Sequence, residues 1–319
     1  MVKIAFLFPG QGSQYVGMGK DLYSKFKIAE ELFKRADEVL GFPISRICFE
    51  GPEEKLRETE NTQPAILIHS LICFHLLKSY GINPDITCGL SLGEYSSLVA
   101  AEALSFEDAV VLVKKRGKFM QEAVPIGAGG MAAIMGLSKE KVLEVIKLAS
   151  KEGVVEAANY NCPGQIVISG EIKALKLAMD ISKEYGAKKV MMLNVSAPFH
   201  SSLLESAGEK LKKELENIKI SKPKIPVVFN VNAEVEEEPQ KIKQLLIKQV
   251  SSPILFEDSI RRIIKEGVNI FVEVGPGKAL SGFVKKIDKS VEVLNVEDEE
   301  SLEKTINFLG GFIKNESAG

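Results

Sequence analysis

The sequence has little of what marks several large classes of protein. Its four cysteines (Cys48, Cys73, Cys88, Cys162) are scattered, with no C-x-x-C pair and no histidine at finger spacing. That pattern argues against a disulfide framework and against structural zinc. Neither sign of charge is in excess: 41 Lys and Arg against 43 Asp and Glu leave a formal net charge of -2. A general nucleic-acid binder is strongly basic, so nucleic acid is not an expected partner. No stretch approaches the roughly 20 uninterrupted apolar residues of a membrane span, so no membrane is expected either. The apolar run at 2–8 breaks at Pro9-Gly10, too short for a secretion signal, and reads as a buried strand. The expected location is therefore the cytoplasm. What remains is a chain of 319 residues, 45% hydrophobic and 26% charged, enough for one large domain with a smaller one inserted.

Five short runs look like central strands of a parallel sheet: Ile4–Phe8, Ile86–Cys88, Val227–Phe229, Ile270–Val274 and Val291–Leu294. They are mostly β-branched or aromatic, and only Glu273 and Glu292 carry charge, as strands covered on both faces should read. Helical patterns lie between them. One is expected from Gln63-Pro64 to Lys78, with Asn61 or Thr62 as N-cap and Pro64 in the first turn. Another starts at Ser105, where Asp108 completes a capping-box pattern. From Gly127 to Val195 the order changes to strand, helix, strand, strand, helix, strand, which is the ferredoxin-like order. The expected organisation is a large α/β domain formed by 1–126 and 196–319, with a small ferredoxin-like domain at 127–195.

Chemistry gathers at three places. Gly89-Leu90-Ser91-Leu92-Gly93 matches G-x-S-x-G, the strand-to-helix elbow that presents a nucleophilic serine. Small residues on either side let the chain turn sharply, and the helix starting at Leu92 aims its free N–H groups at a developing oxyanion. A serine needs a base, and only three histidines are available. His69 and His75 sit six apart in an apolar helix and read as packing or surface residues. His200 lies in a loop after the strand predicted at 189–195, where catalytic groups of α/β sheets collect. Spacing alone leaves open whether a carboxylate or a carbonyl orients its ring. The third place is Arg116. On the helix from Phe106, Ala109, Leu112, Val113 and Met120 fall on one stripe, and Arg116 lies in the middle of it. A guanidinium there is costly unless an anion meets it: it pairs with a buried Asp or Glu or snorkels at the helix edge, or it clamps the carboxylate of a substrate.

Two glycine loops fail as nucleotide cradles. Gly10-x-Gly12 lacks the third glycine of a dinucleotide loop, since Tyr15 stands there. Gly275-Pro276-Gly277-Lys278 has Val272 and Ala279 where a P-loop needs Gly and Ser or Thr. The first loop is either a plain structural turn or one that offers the Gln11 N–H as an oxyanion donor beside that of Leu92.

Together these segments resemble the malonyl-CoA:acyl carrier protein transacylases of bacterial fatty-acid synthesis. The resemblance rests on 8–14, Asn61-Thr62-Gln63-Pro64-Ala65, Ser91-Leu92-Gly93-Glu94, Arg116-Gly117, Asn161-Cys162-Pro163-Gly164-Gln165, Phe199-His200, Gln249 with Pro253, and 273–277. It implies an α/β-hydrolase-like core with a ferredoxin-like insertion. It also implies ping-pong transfer of malonyl from malonyl-CoA to the phosphopantetheine thiol of an acyl carrier protein, with no metal and no bound cofactor. In this reading Ser91 is the nucleophile, His200 the base and Gln249 the carbonyl that orients it. The Gln11 and Leu92 amides form the oxyanion hole, Arg116 clamps the malonyl carboxylate, and Gln63 and Phe199 complete the substrate site. Phe199 is similar to the residue of members that prefer malonyl over methylmalonyl. One departure stands out: Leu90 occupies the position of the family's usual histidine, beside the nucleophile, where a packing role is expected.

Overall fold

The computed structural model describes residues 2–195 and 197–316; Met1, Ser196 and 317–319 lie outside the described residues. Among the described residues nine strands form two sheets: β1 (Ile4–Phe8), β2 (Ile86–Gly89), β3 (Gly129–Met135), β4 (Val155–Cys162), β5 (Gln165–Glu171), β6 (Lys189–Met192), β7 (Val227–Val228), β8 (Ile270–Val274) and β9 (Glu292–Val296). The first sheet is parallel, in the order β7-β2-β1-β8-β9. The second is antiparallel, in the order β4-β5-β3-β6.

The inner parallel strands β1, β2 and β8 are mostly apolar because each divides its side chains between two buried faces. In β1, Ile4, Phe6 and Phe8 enter one core while Ala5 and Leu7 enter the other. β8 alternates in the same way, with Ile270, Val272 and Val274 opposed to Phe271. Its charged residue, Glu273, is fully buried and accepts from the Leu280 N–H, the Ser281 N–H and the Ser281 hydroxyl, at 3.1, 2.7 and 2.6 Å. It thereby satisfies the free N-terminal amides of helix Ala279–Ile287, which explains a charge inside a central strand.

Among the boundaries that differ from expectation, two bear on the site. The helix expected from 63 begins earlier, spanning Thr59–Ser79, with Pro64 inside it. Asn61 and Thr62 are not caps; both of their amides donate to the Glu58 carbonyl at 2.8 Å. The first turn closes on Glu58, upstream of the proline, so the proline does not mark the start. This helix is buried on nearly every side, because it lies between the parallel sheet and the helix Phe106–Glu122. β6 ends at Met192 rather than Val195. Beyond it, the Leu193 N–H still donates to the Met131 carbonyl at 2.9 Å, while Leu193 and Val195 turn to line a cleft.

The second sheet also has two faces. Ala132 and Ile134 of β3 and Ile166 and Ile168 of β5 pack on the helices Lys139–Ala149 and Ile172–Glu184. The opposite face, with Met131, Ala133, Met135, Gln165 and Val167, roofs the cleft. The antiparallel sheet is tied to the segment before helix Phe256–Lys265, where the Tyr160 N–H donates to the Ile254 carbonyl at 2.9 Å and the Ile254 N–H to the Ala158 carbonyl at 2.8 Å. The sheet's pleat thus gives one face to packing and the other to the site.

Candidate active site

β2 ends at Gly89, Ser91 follows two residues later, and the helix Gly93–Ala100 starts at once. The glycines of this elbow are dictated by close approach. A Cβ on Gly89 would come within 1.9 Å of the Gly93 carbonyl carbon, and one on Gly93 within 2.0 Å of the Phe8 carbonyl oxygen. No side chain fits at either place. Ser91 itself has φ 52, a left-handed conformation that a non-glycine residue adopts at a cost of about 1–3 kcal/mol. His200 has φ 59 and carries the same kind of strain.

Hydrogen bonds hold both residues there. Ser91 Oγ lies 2.8 Å from His200 Nε2, and His200 Nδ1 lies 2.9 Å from the backbone oxygen of Gln249. A carbonyl can only accept, so Nδ1 carries the proton and Nε2 is left to accept from the serine. The group that meets Nδ1 is therefore a backbone carbonyl and not a carboxylate. Burial, reinforced by the nearby Arg116 charge and only partly offset by the Gln249 carbonyl, pushes the His200 pKa down to about 3. The imidazole is neutral at ordinary pH, as a proton acceptor must be.

Arg116 is buried, and all three of its hydrogen-bond acceptors are neutral. Nη1 donates to Gln63 Oε1 at 2.8 Å; Nη2 donates to Gln249 Oε1 at 2.8 Å and to Ser91 Oγ at 3.0 Å. The ring of Tyr95 stands 5.3 Å from its central carbon. Among the described residues no carboxylate forms an ion pair with it. A buried cation whose hydrogen-bond acceptors are neutral, at the wall of an open cleft, can take up an anion.

Two residues that sequence reasoning left without a role belong to this network. Asn230, two residues beyond β7, is fully buried; its Oδ1 accepts the Ser91 N–H at 2.7 Å and its Nδ2 donates to the Gly89 carbonyl at 2.7 Å. Its own N–H donates to Glu94 Oε2 at 2.6 Å. Glu94 is fully buried, and burial lifts its pKa to about 7 against the lowering effects of the Asn230 N–H, Gln249 and Arg116. The sole sequence signal for Asn230 was a polar residue just past a strand end. Gln249 Nε2 closes the ring by donating to the Ser91 carbonyl at 3.0 Å.

The cleft above these groups measures about 280 Å³. Gln11, Leu92, Gln63, Phe199, Ser91, Arg116 and His200 all border it, so the structure brings these sequence candidates together, with Gln249 just beneath. Gly10 presses so closely on the elbow that a Cβ there would lie 2.5 Å from the Leu90 oxygen, which sets the Gln11 loop beside the nucleophile. Leu90 borders the cleft and packs against the core that holds Leu7, Ile86 and Cys88. His69 is fully buried and remote from this set, beside Cys73, and burial lowers its pKa to about 4. Among the described residues no group of His, Cys, Asp and Glu is placed to hold a metal, and no helix is long and apolar enough to cross a membrane.

An elbow serine, a carbonyl-oriented histidine and a buried arginine on one cleft define an acyl-transfer site. Comparison with known proteins agrees: residues 5–316 match the acyl transferase domain model, and the chain belongs to that family. It is 52% identical over 310 residues to a malonyl CoA-acyl carrier protein transacylase of Bacillus subtilis, covering 97% of this chain and 98% of that one. A solved structure of a malonyl CoA-acyl carrier protein transacylase from Clostridium perfringens superposes with TM-score 0.95 at 51% identity, over 99% of this chain and 100% of the other. A malonyl-transacylase solved in complex with a type II polyketide synthase acyl-carrier protein superposes with TM-score 0.94 at 39% identity, over 96% and 99% of the two chains.

Proposed function

We propose that this protein transfers a malonyl group from malonyl-CoA to the phosphopantetheine thiol of an acyl carrier protein, by a ping-pong route through malonyl-Ser91. The observation that carries this reading is the buried Arg116, held among neutral acceptors within hydrogen-bond reach of the nucleophile. A plain esterase has no use for a buried cation where the acyl group sits; an acyl group ending in a carboxylate requires one.

In the first half-reaction His200 Nε2 takes the Ser91 proton as Oγ attacks the thioester carbon. The oxyanion is held by the Gln11 and Leu92 amides, and the Gln249 carbonyl keeps the imidazole in its tautomer. The carbon–sulfur bond breaks, and coenzyme A leaves with the proton from His200. In the second half-reaction the carrier thiol gives its proton to His200, attacks the ester and releases Ser91. Arg116 grips the malonyl carboxylate throughout, supported by Gln63, while Phe199 limits the space beside the acyl carbon. No step calls for a metal or a bound cofactor.

The same reading divides the chain into a large α/β-hydrolase-like domain (1–126 and 196–319) and a small ferredoxin-like domain (127–195). The order of the antiparallel sheet, and its βαββαβ succession along the chain, support the second description. Work on coenzyme A thioesters and a free carrier suits the cytoplasm. The test is the intact mass of the protein after brief mixing with malonyl-CoA, beside Ser91→Ala. A malonyl increment on the wild type alone, discharged by carrier protein, is expected. An unmodified wild type with intact thioester would refute the reading.

A further inference from the structure

The guanidinium that faces the substrate's carboxylate also touches the nucleophile. Arg116 Nη2 donates to Ser91 Oγ at 3.0 Å, and the same Oγ lies 2.8 Å from His200 Nε2. Attack by Ser91 transfers its proton to His200, so the step creates an imidazolium directly beside an existing cation. Like charges at such range, inside a buried site, oppose each other strongly. The hydrogen bond from Nη2 also draws electron density away from the attacking oxygen. Yet among the described residues no carboxylate is in hydrogen-bond or ion-pair contact with Arg116: Glu94 acts on it only through the field, from behind Asn230, and its other acceptors, Gln63 Oε1 and Gln249 Oε1, are neutral.

We infer that the carboxylate of the incoming acyl group switches on the serine–histidine pair by neutralising Arg116, so that acyl groups lacking a carboxylate are rejected in the acylation step as well as in binding. This rests on the reading of Arg116 as the carboxylate clamp. When the carboxylate takes the guanidinium's donors, Nη2 no longer has to share Ser91 Oγ, and the positive charge facing the nascent imidazolium is cancelled. The proton then passes from Oγ to Nε2, Oγ bonds to the thioester carbon, and the thiolate departs with that proton. With an acetyl thioester the bonds made and broken are the same, but the cation stays uncompensated. The other charged or titratable groups of this network are Glu94, reached through Asn230, and Tyr95, across the guanidinium. Neither touches the serine hydroxyl or the imidazole. The low pKa of His200 is consistent with this geometry, since the Arg116 charge is its second-largest cause.

The prediction is checked by supplying the substrate in two pieces. Acetylation of Ser91 by acetyl-CoA is followed by intact mass at neutral pH, with sodium formate or sodium chloride at equal ionic strength. Formate provides the missing carboxylate to Arg116 without blocking the acetyl group. Acceleration by formate of about tenfold at saturation, the rate equivalent of one pKa unit, is expected, with chloride inert. An acetylation rate that formate leaves unchanged or lowers overturns the inference. In Arg116→Gln, basal acetylation should rise above wild type and formate should have no effect. A fall in basal acetylation while malonylation is also lost would leave the clamp standing and remove the switch. Unchanged malonylation in that variant would remove the clamp and the switch together. The formate experiment on the wild-type protein is independent of whether the variant folds.

Discussion

On the floor of the cleft Arg116, His200, Asn230 and Gln249 are buried and tied to Ser91 through a ring of hydrogen bonds. On the roof, Met131, Met135, Val167 and Met191 present apolar surface, and four of the chain's 8 methionines border the cleft once Met120 is included. The floor comes from loops beyond the parallel strands and from helices packed beside them, the roof mostly from the antiparallel sheet. Buried polar groups are costly unless each meets a partner, so the floor has one workable arrangement and holds two residues in strained backbone to reach it. Methionine is unbranched and adaptable, so the roof can follow acyl and pantetheine groups without a fixed geometry. Chemistry is placed on the rigid side and accommodation on the compliant one.

That contrast is open to attack from the floor upward. The largest effect is expected for His200→Ala, which should slow malonyl-serine formation by roughly 10⁴-fold or more in a rapid-quench mass assay. A loss under tenfold would mean that the floor contains a second base. Arg116→Lys keeps the charge but not the fork, and should lower kcat/KM for malonyl-CoA by about 10²-fold. Full activity in that variant would reduce the arginine to a point charge. Asn230→Ala leaves the Ser91 N–H and the Gly89 carbonyl buried without partners, a cost of roughly 2 to 4 kcal/mol. A clear fall in Tm should accompany a slower acylation step, and a normal Tm would show that the elbow holds its strain unaided.

A smaller effect, read in pH dependence, separates the ionisable groups of the interior. His200 and His69 have folded pKa values of about 3 and about 4, below the usual 6.5. The unfolded chain therefore binds more protons between those values and 6.5, and their contribution to stability is lost as pH falls through that window. Glu94 is shifted the other way, from 4.5 to about 7. Its contribution is present below 4.5 and is lost as pH rises toward 7, which offsets part of the histidine effect. Glu94→Gln removes the offset, so the variant should lose more Tm than wild type between pH 7 and pH 5. Equal losses would place the Glu94 pKa near its ordinary value. The smallest effect belongs to the roof: Met131→Leu conserves volume and should change kcat/KM by less than about threefold. A change as large as that of an Asn230 variant would erase the distinction between the two sides.

Much of this protein is determined by its sequence alone. Strands with two buried faces are apolar at nearly every position, and β1 and β8 match the runs at Ile4–Phe8 and Ile270–Val274 residue for residue. The elbow announces itself because only glycine fits at 89 and 93, and Arg116 because a charge on an apolar stripe has no local explanation. The start of the helix at Thr59 was not legible, since its first turn closes on the Glu58 carbonyl upstream of a proline that looked like the beginning. Asn230 was hidden for a deeper reason. Its partners, Gly89, Ser91 and Glu94, lie more than 130 positions away in the chain. A hydrogen bond across that span leaves no periodicity, cap or spacing to read. The same holds for the orientation of His200 by the Gln249 carbonyl and for the contact of Arg116 with the serine, 49 and 25 positions apart. Local patterns record what each residue needs; which distant group meets that need is decided only when the sheet brings the strand ends together.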